Sequence, residues 1–79
     1  MVRAKFVVQD KTERFDTNGN GWEIRLTAVY SDDENSENGQ FFKYTPNGEI
    51  TLGIVNPPAA SDFVVGKEYY VDFTLASDD

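Results

Sequence analysis

The fold class of this 79-residue chain is decided by the stretch WEIRLTAVY, residues 22–30. Its even-numbered positions, from Trp22 to Tyr30, are all apolar or aromatic, and Glu23, Arg25 and Thr27 lie between them. Successive side chains point to opposite faces of a β-strand, so a period of two predicts a strand with one buried and one exposed face.

The segment that precedes this strand predicts its hairpin partner. Residues Val2 to Val8 alternate in the same way, with apolar residues at the even positions. Between the two segments, Asp16 to Gly21 reads DTNGNG, six consecutive turn-forming residues. Asn-Gly between alternating segments is typical of a β-hairpin, because both residues tolerate positive φ.

Three further strands are predicted towards the C-terminus. Ser31–Gly39, here called the acidic segment, has no apolar side chain and four carboxylates, and it predicts a loop. Strands are then expected over Gln40–Thr45, Glu49–Val55 and Glu68–Leu75, where aromatic and β-branched residues dominate. Pro58–Phe63 predicts one short helical turn, because proline is tolerated at a helix start, and Phe63 is expected to anchor it to the core.

The whole chain therefore predicts an all-β fold in a single domain, residues 1–79, with a frayed tail over 76–79. Its five short strands are expected to be mostly antiparallel and to form a small barrel or a two-layer sandwich. A chain of this size buries only about 60% of the surface that its unfolded form exposes, and it has no cysteine for a disulfide. We therefore expect self-association into a dimer or a higher closed oligomer.

The composition argues against catalysis and against cofactor binding. The chain has no histidine, the commonest zinc ligand and the commonest general base at neutral pH. It has no cysteine either, which excludes thiolate metal sites and cysteine nucleophiles. Glu68 and Asp72 lie on one face of the last strand, a pattern more typical of a solvated edge than of a catalytic carboxylate pair. We predict a protein that is not an enzyme and that needs no cofactor and no metal.

The sequence around the first turn resembles part of a calcium site. Asp16, Asn18, Asn20 and Gly21 follow the opening of an EF-hand loop, but its twelfth position, which requires a bidentate glutamate, is Thr27. The flanking segments are also strand-like rather than helical. The pattern therefore favours a hairpin turn over a calcium site.

The net charge of −7 limits the partners of this chain. An acidic surface repels nucleic-acid phosphates and anionic lipids, so nucleic acid is a disfavoured partner and a membrane is not expected. A single-strand-binding barrel stays open as an alternative, in which rings would stack on bases beside a few basic residues. Those basic residues would be Arg3, Lys5, Arg25 and Lys43.

The candidate binding residues are the four carboxylates of the acidic segment and the aromatic side chains that could lie outside the core. Acidic clusters dock on basic partners, although a solvated loop is the commoner role, and aromatic residues are enriched at protein interfaces. In an extended Gln40–Thr45 segment, Phe41 and Phe42 would point to opposite faces, which would leave one ring exposed. The candidates are Asp32, Asp33, Glu34, Glu37, Phe41, Phe42, Tyr44 and Tyr70.

Several short motifs resemble a family of small uncharacterised proteins of tailed bacteriophages. They are Ala28-Val29-Tyr30-Ser31 before the acidic segment, Thr45-Pro46-Asn47-Gly48, and Gly66-Lys67-Glu68-Tyr69-Tyr70-Val71-Asp72-Phe73-Thr74. The resemblance covers nearly the whole chain, but its motifs are strand ends and turns and bring no site residues with them. It implies a virus-encoded protein made in the cytoplasm of a bacterial host.

Three functional classes are compatible with these observations. The first is an accessory protein that inhibits a host factor or a host defence by binding a host protein or by sequestering a small nucleotide, without chemistry. Its acidic surface would also suit DNA mimicry towards a host protein. The second is a minor virion component of the capsid or tail, and the third is the single-strand-binding barrel. Small size, acidic charge and the lack of catalytic groups favour the first.

Overall fold

The computed structural model describes residues 2–13 and 21–77. The described residues form four strands and two short helices. In chain order these are β1 (Val2–Glu13), β2 (Trp22–Ala28), α1 (Glu37–Tyr44), β3 (Glu49–Ile54), α2 (Pro57–Ser61) and β4 (Glu68–Phe73).

The strands form one antiparallel sheet in the order β3-β2-β1-β4. The expected β-rich, antiparallel fold is confirmed, but the closed barrel and the two-layer sandwich are wrong, because the described strands form one open sheet with β3 and β4 at its edges. The fifth strand is also wrong, since most of Gln40–Thr45 belongs to helix α1. The turn predicted over Asp16–Gly21 lies outside the described residues except for Gly21, whose φ of 120° suits glycine.

A β-bulge halfway along β1 changes which of its positions point to the apolar side of the sheet. Phe6 pairs with Ala28 and Val8 with Leu26, but the register then shifts, so that Lys11 pairs with Ile24. The extra residue places Lys11 on the same side of the sheet as the apolar residues of the first half of β1.

The apolar side of the sheet, here called the core face, carries the hydrophobic cluster. Its fully buried members are Ala4, Phe6, Val8, Ile24 and Leu26. These are the alternate positions that the sequence assigned to the interior of the first two strands, so that prediction is confirmed. The opposite side, here called the outer face, carries charged residues of the same strands, including Arg3, Lys5 and Arg25.

The connection from β3 to β4 crosses the core face and covers part of it. Asn56 caps α2 by accepting a hydrogen bond from the Ala59 amide, and prolines occupy the first helical turn, as expected near residue 58. Ala60 is buried, and Phe63 packs against the hydrophobic cluster, as the sequence predicted. Lys11 donates hydrogen bonds to the carbonyl oxygens of Ala60 and Phe63 at 2.7 and 3.1 Å. The connection is therefore tied to β1.

No helix in the described part of the chain is long and apolar enough to cross a membrane.

Candidate functional site

Helix α1 begins with a complete N-terminal cap. The Ser36 side-chain oxygen accepts a 2.9 Å hydrogen bond from the Gly39 amide, which satisfies one of the free donors of the first turn. Glu37 lies in the first turn and Lys43 in the last, so each charge complements the helix dipole. These local signals explain why an aromatic segment with strand propensity forms a helix.

The helix is attached to the outer face by a charged cluster around Glu37. The Lys5 ammonium group lies 2.5 Å from a Glu37 oxygen and 3.3 Å from a Glu68 oxygen. The Tyr70 hydroxyl donates a 2.9 Å hydrogen bond to the same Glu37 oxygen. Phe41, one turn further along α1, packs on the Tyr70 ring with the centroids 5.9 Å apart. Polar and aromatic contacts together therefore position α1 over β1 and β4.

The electrostatics of this cluster follow from its ion pairs. Hydrogen bonds from Lys5 first, and from Tyr70 second, hold the pKa of Glu37 below its ordinary value. The Glu37 carboxylate in turn raises the pKa of the Tyr70 hydroxyl and that of the Lys5 ammonium group. Beside it, Arg3 binds Asp72 through two hydrogen bonds of 2.6 and 2.9 Å, and this pair lowers the pKa of Asp72.

The first part of the acidic segment is held by its own hydrogen bonds. The Asp33 carbonyl oxygen accepts hydrogen bonds from the amide and the hydroxyl of Ser36, at 3.1 and 2.7 Å. The Asp33 carboxylate accepts a 2.9 Å hydrogen bond from the Asn35 amide. Gly39 lies against this turn so closely that a Cβ atom there would overlap the Asp33 carbonyl oxygen. The expected loop is therefore a compact turn leading into α1.

A depression of about 510 Å³ lies between the acidic segment and α1. Asp32 and Glu34 contribute its carboxylates, and Lys43 is the one basic residue in its lining. Tyr30 and Phe42 supply aromatic surface and pack edge to face, with ring centroids 4.8 Å apart and planes at 82°. The depression therefore combines an acidic edge with an ordered aromatic wall.

Six of the eight candidate residues lie in the depression or in the charged cluster. Asp32, Glu34 and Phe42 line the depression, while Glu37, Phe41 and Tyr70 meet in the charged cluster on the outer face. The Asp33 carboxylate bonds within its own turn. Tyr44 is 78% exposed at the end of α1.

The expectation that Phe41 and Phe42 point to opposite faces of a strand is wrong, because both lie on α1 and pack against different rings. Sequence reasoning also missed Tyr30 as a lining residue, because the alternation of residues 22–30 assigned it to the core face. Strand β2 ends at Ala28, and Tyr30 is 67% exposed.

Three of the four basic residues expected to serve a nucleic-acid surface are engaged in ion pairs, and the fourth, Lys43, lines the depression. Arg3 pairs with Asp72 and Lys5 with Glu37, while Arg25 pairs with Asp10 and Glu49. Phosphate binding would have to displace these carboxylates.

Residues 2–13 and 21–77 contain no cluster of side chains that could bind a metal ion. No three carboxylate side chains converge there to hold an ion. The positions of the EF-hand-like pattern from Asp16 to Asn20 lie outside those residues.

No protein-family model matches the chain, and neither a curated protein nor a solved structure matches it.

Proposed function

We propose that this protein acts by binding, without chemistry of its own, and that the depression beside α1 receives a basic segment of a partner protein. The observation that supports this most directly is the combination of Asp32 and Glu34 with the ordered ring pair Tyr30 and Phe42. Carboxylates attract and orient a lysine or arginine side chain, and aromatic surface supplies contact area at low entropic cost.

The rigidity of the site supports the same proposal. The Ser36 cap, the Asp33 turn and the close approach of Gly39 fix the acidic segment before any partner arrives. A preordered site loses less conformational entropy on binding than a mobile loop does. The net charge of −7 would also accelerate the approach of a basic partner.

The sequence resembles small proteins of tailed bacteriophages. For a phage protein, the partner would be a host protein, and the effect would be inhibition of a host factor or of a host defence. Protein binding is favoured over nucleotide sequestration, because the carboxylates of the depression would repel a phosphate group. The same repulsion, and the ion-paired cations of the outer face, disfavour the single-strand-binding function.

The proposal is tested by titrating labelled protein with a short peptide of arginine and leucine residues while amide shifts are followed by NMR. Shifts are expected at Asp32, Glu34, Gln40 and Phe42, with binding that weakens as salt is raised. The variant Asp32→Asn/Glu34→Gln should lose most of the affinity. A peptide in which glutamate replaces arginine should not bind.

The matched control removes two charges away from the depression, one at the far end of the sheet and one at the end of α2. Glu13→Gln/Asp62→Asn changes the net charge equally, and Glu13 pairs with Trp22 at the opposite end of β2 from the acidic segment. This variant should bind the arginine peptide as the native chain does. An equal loss in both double variants would show that only net charge matters and would overturn the proposed site.

The same two variants apply to capture of host proteins with the tagged chain. A partner retained by the control and lost by Asp32→Asn/Glu34→Gln is expected, and unchanged capture by both would contradict the proposal. The virion alternative has its own measurement, since mass spectrometry of purified particles would then find the chain in stoichiometric amount.

A further inference from the structure

The chain has more exposed surface than a compact protein of its mass. Its accessible surface is 5781 Å² for 8.9 kDa, whereas a folded monomer of that mass exposes about 4,800 Å². Its radius of gyration is 14.6 Å against about 12 Å for a compact chain of 79 residues. The dimensions of 46 × 37 × 19 Å describe a flat molecule. The surplus surface is roughly 1,000 Å² per chain.

Part of the exposed apolar surface lies on the core face. The connection through α2 covers only one end of that face, and a groove of about 440 Å³ is left beside it. Leu52 on β3 is 36% exposed, and the cross-strand pair Val2 and Phe73 is 63% and 54% exposed. The apolar lining of the groove comes from six residues, namely Leu26, Ile50, Leu52, Phe63, Tyr69 and Val71.

We infer that a second copy of this chain packs its own core face against this groove. A β-sheet that is apolar on one face is normally buried against another layer, and here the chain supplies only part of that layer. A standard interface buries about 800 Å² per partner, and the surplus of roughly 1,000 Å² over the whole chain is large enough to include one. Two sheets stacked face to face would form the second layer that the isolated chain lacks.

The distribution of charge favours a second copy at this face in particular. Two chains of net charge −7 repel each other, so they should meet where carboxylates are fewest. Among the residues that line the groove, the only carboxylate is Asp72, which is paired with Arg3. Helix α1 packs on the outer face, against Lys5 and Tyr70, so the acidic segment lies away from this interface.

This inference does not rest on the proposed function, because the groove and the depression lie on opposite faces of the sheet. A chain that forms the dimer but binds no basic peptide would overturn the proposed function alone. A monomeric chain that still binds the peptide would overturn the inferred interface alone.

The interface is tested by sedimentation equilibrium with a matched pair of variants on β3. At micromolar concentration the native chain should sediment as a dimer, with twice the 8.9 kDa mass of one chain. Leu52→Lys places a charge in the groove and should raise the dissociation constant at least tenfold. Thr51→Lys makes the same change in charge at the neighbouring residue, which faces the other side of the strand, and should leave the dimer intact.

A native chain that is monomeric at all accessible concentrations would overturn the inference. Equal dissociation by both variants would do the same, because it would indicate pairing through the edge of β3 rather than through its core face. Circular dichroism checks that each variant keeps its fold. If Leu52→Lys does not fold, isotope-filtered NOE spectra of mixed labelled and unlabelled native chains decide the question. Intermolecular contacts are expected at Leu52, Ile50 and Val71, and contacts confined to other residues would exclude the groove.

Discussion

The hydroxyl of Tyr70 donates a 2.9 Å hydrogen bond to the carboxylate of Glu37, although 33 positions separate the two residues in the sequence. The bond joins β4, the last strand of the sheet, to the first turn of α1. Lys5 on the neighbouring strand reaches the same carboxylate. The position of α1, and with it the shape of the depression, therefore depends on one carboxylate that receives both a hydroxyl and an ammonium group.

Glu37→Gln should lower the unfolding temperature at neutral pH. The pKa of Glu37 is depressed in the folded chain, so its stabilising effect is present above the unfolded value of about 4.3 and is lost as the pH falls through the lower, folded value. The native and variant melting curves should therefore differ at pH 7 and converge well below pH 4. The control is Glu34→Gln, which removes a charge from the same segment and should melt close to the native chain at each pH. A Glu37→Gln curve that matches the native one at pH 7 would contradict this role.

Tyr70→Phe should raise the pKa of Glu37 without returning it to the ordinary value. The variant keeps the ring against Phe41 and removes only the hydroxyl that donates to the carboxylate. The hydrogen bond from Lys5, the larger cause of the depressed pKa, stays in place. The change is measured by following the Glu37 side-chain carbonyl resonance by NMR during a pH titration. An unchanged pKa would show that the hydroxyl does not stabilise the carboxylate.

Gly39→Ala should destabilise the chain even though alanine favours helices. The added Cβ would overlap the Asp33 carbonyl oxygen, and overpacking of this kind typically costs about 1–3 kcal/mol, more than the roughly 1 kcal/mol that the helix gains from alanine. The matched control is Gly53→Ala on β3, where no atom lies within 4 Å of the added Cβ. Urea denaturation should show a loss for the first variant and little change or a small gain for the second. The opposite order would contradict the packing argument.

Lys11→Met should loosen the connection that crosses the core face. Methionine keeps an apolar stem but leaves the carbonyl oxygens of Ala60 and Phe63 without their ammonium donor. Hydrogen bonds to charged groups contribute about 1.5–3 kcal/mol, and a loss in that range is expected in denaturant unfolding. Amide hydrogen exchange should accelerate first at Phe63 and Gly66. Lys43→Met on α1 is the control, and faster exchange at Phe63 in that variant as well would contradict the local effect.

The sheet was predictable where alternation and burial agree. Residues 22–28 and the first half of β1 show a period of two, and both strands bury most of the apolar set that the sequence assigns to the interior, although Val2 is 63% exposed. The anchoring role of Phe63 also followed from sequence, because one short helical turn cannot bury an aromatic ring without the sheet beneath it. These features depend on local periodicity, which a single sequence displays directly.

Helix α1 was mispredicted because strand propensity outweighed its capping signals. Phe41, Phe42 and Tyr44 favour strands, and the polar residues before them resemble a loop. The competing signals were Ser36 at the N-cap, Glu37 in the first turn and Lys43 in the last, which together indicate a helix. The ion pair between Glu37 and Lys5 spans 32 positions, so no local pattern could have revealed it.

The bulge in β1 gives the two halves of that strand different tolerances to change in length. Gln9 is the extra residue of the bulge, and deleting it would restore strict alternation while Lys11 stays opposite Ile24, on the side of the carbonyl groups that it binds. By contrast, a gain of one residue between Ala4 and Val8 would turn part of the buried cluster towards solvent. The regular half of β1 should therefore accept no change in length, whereas the bulge should accept the loss of its extra residue.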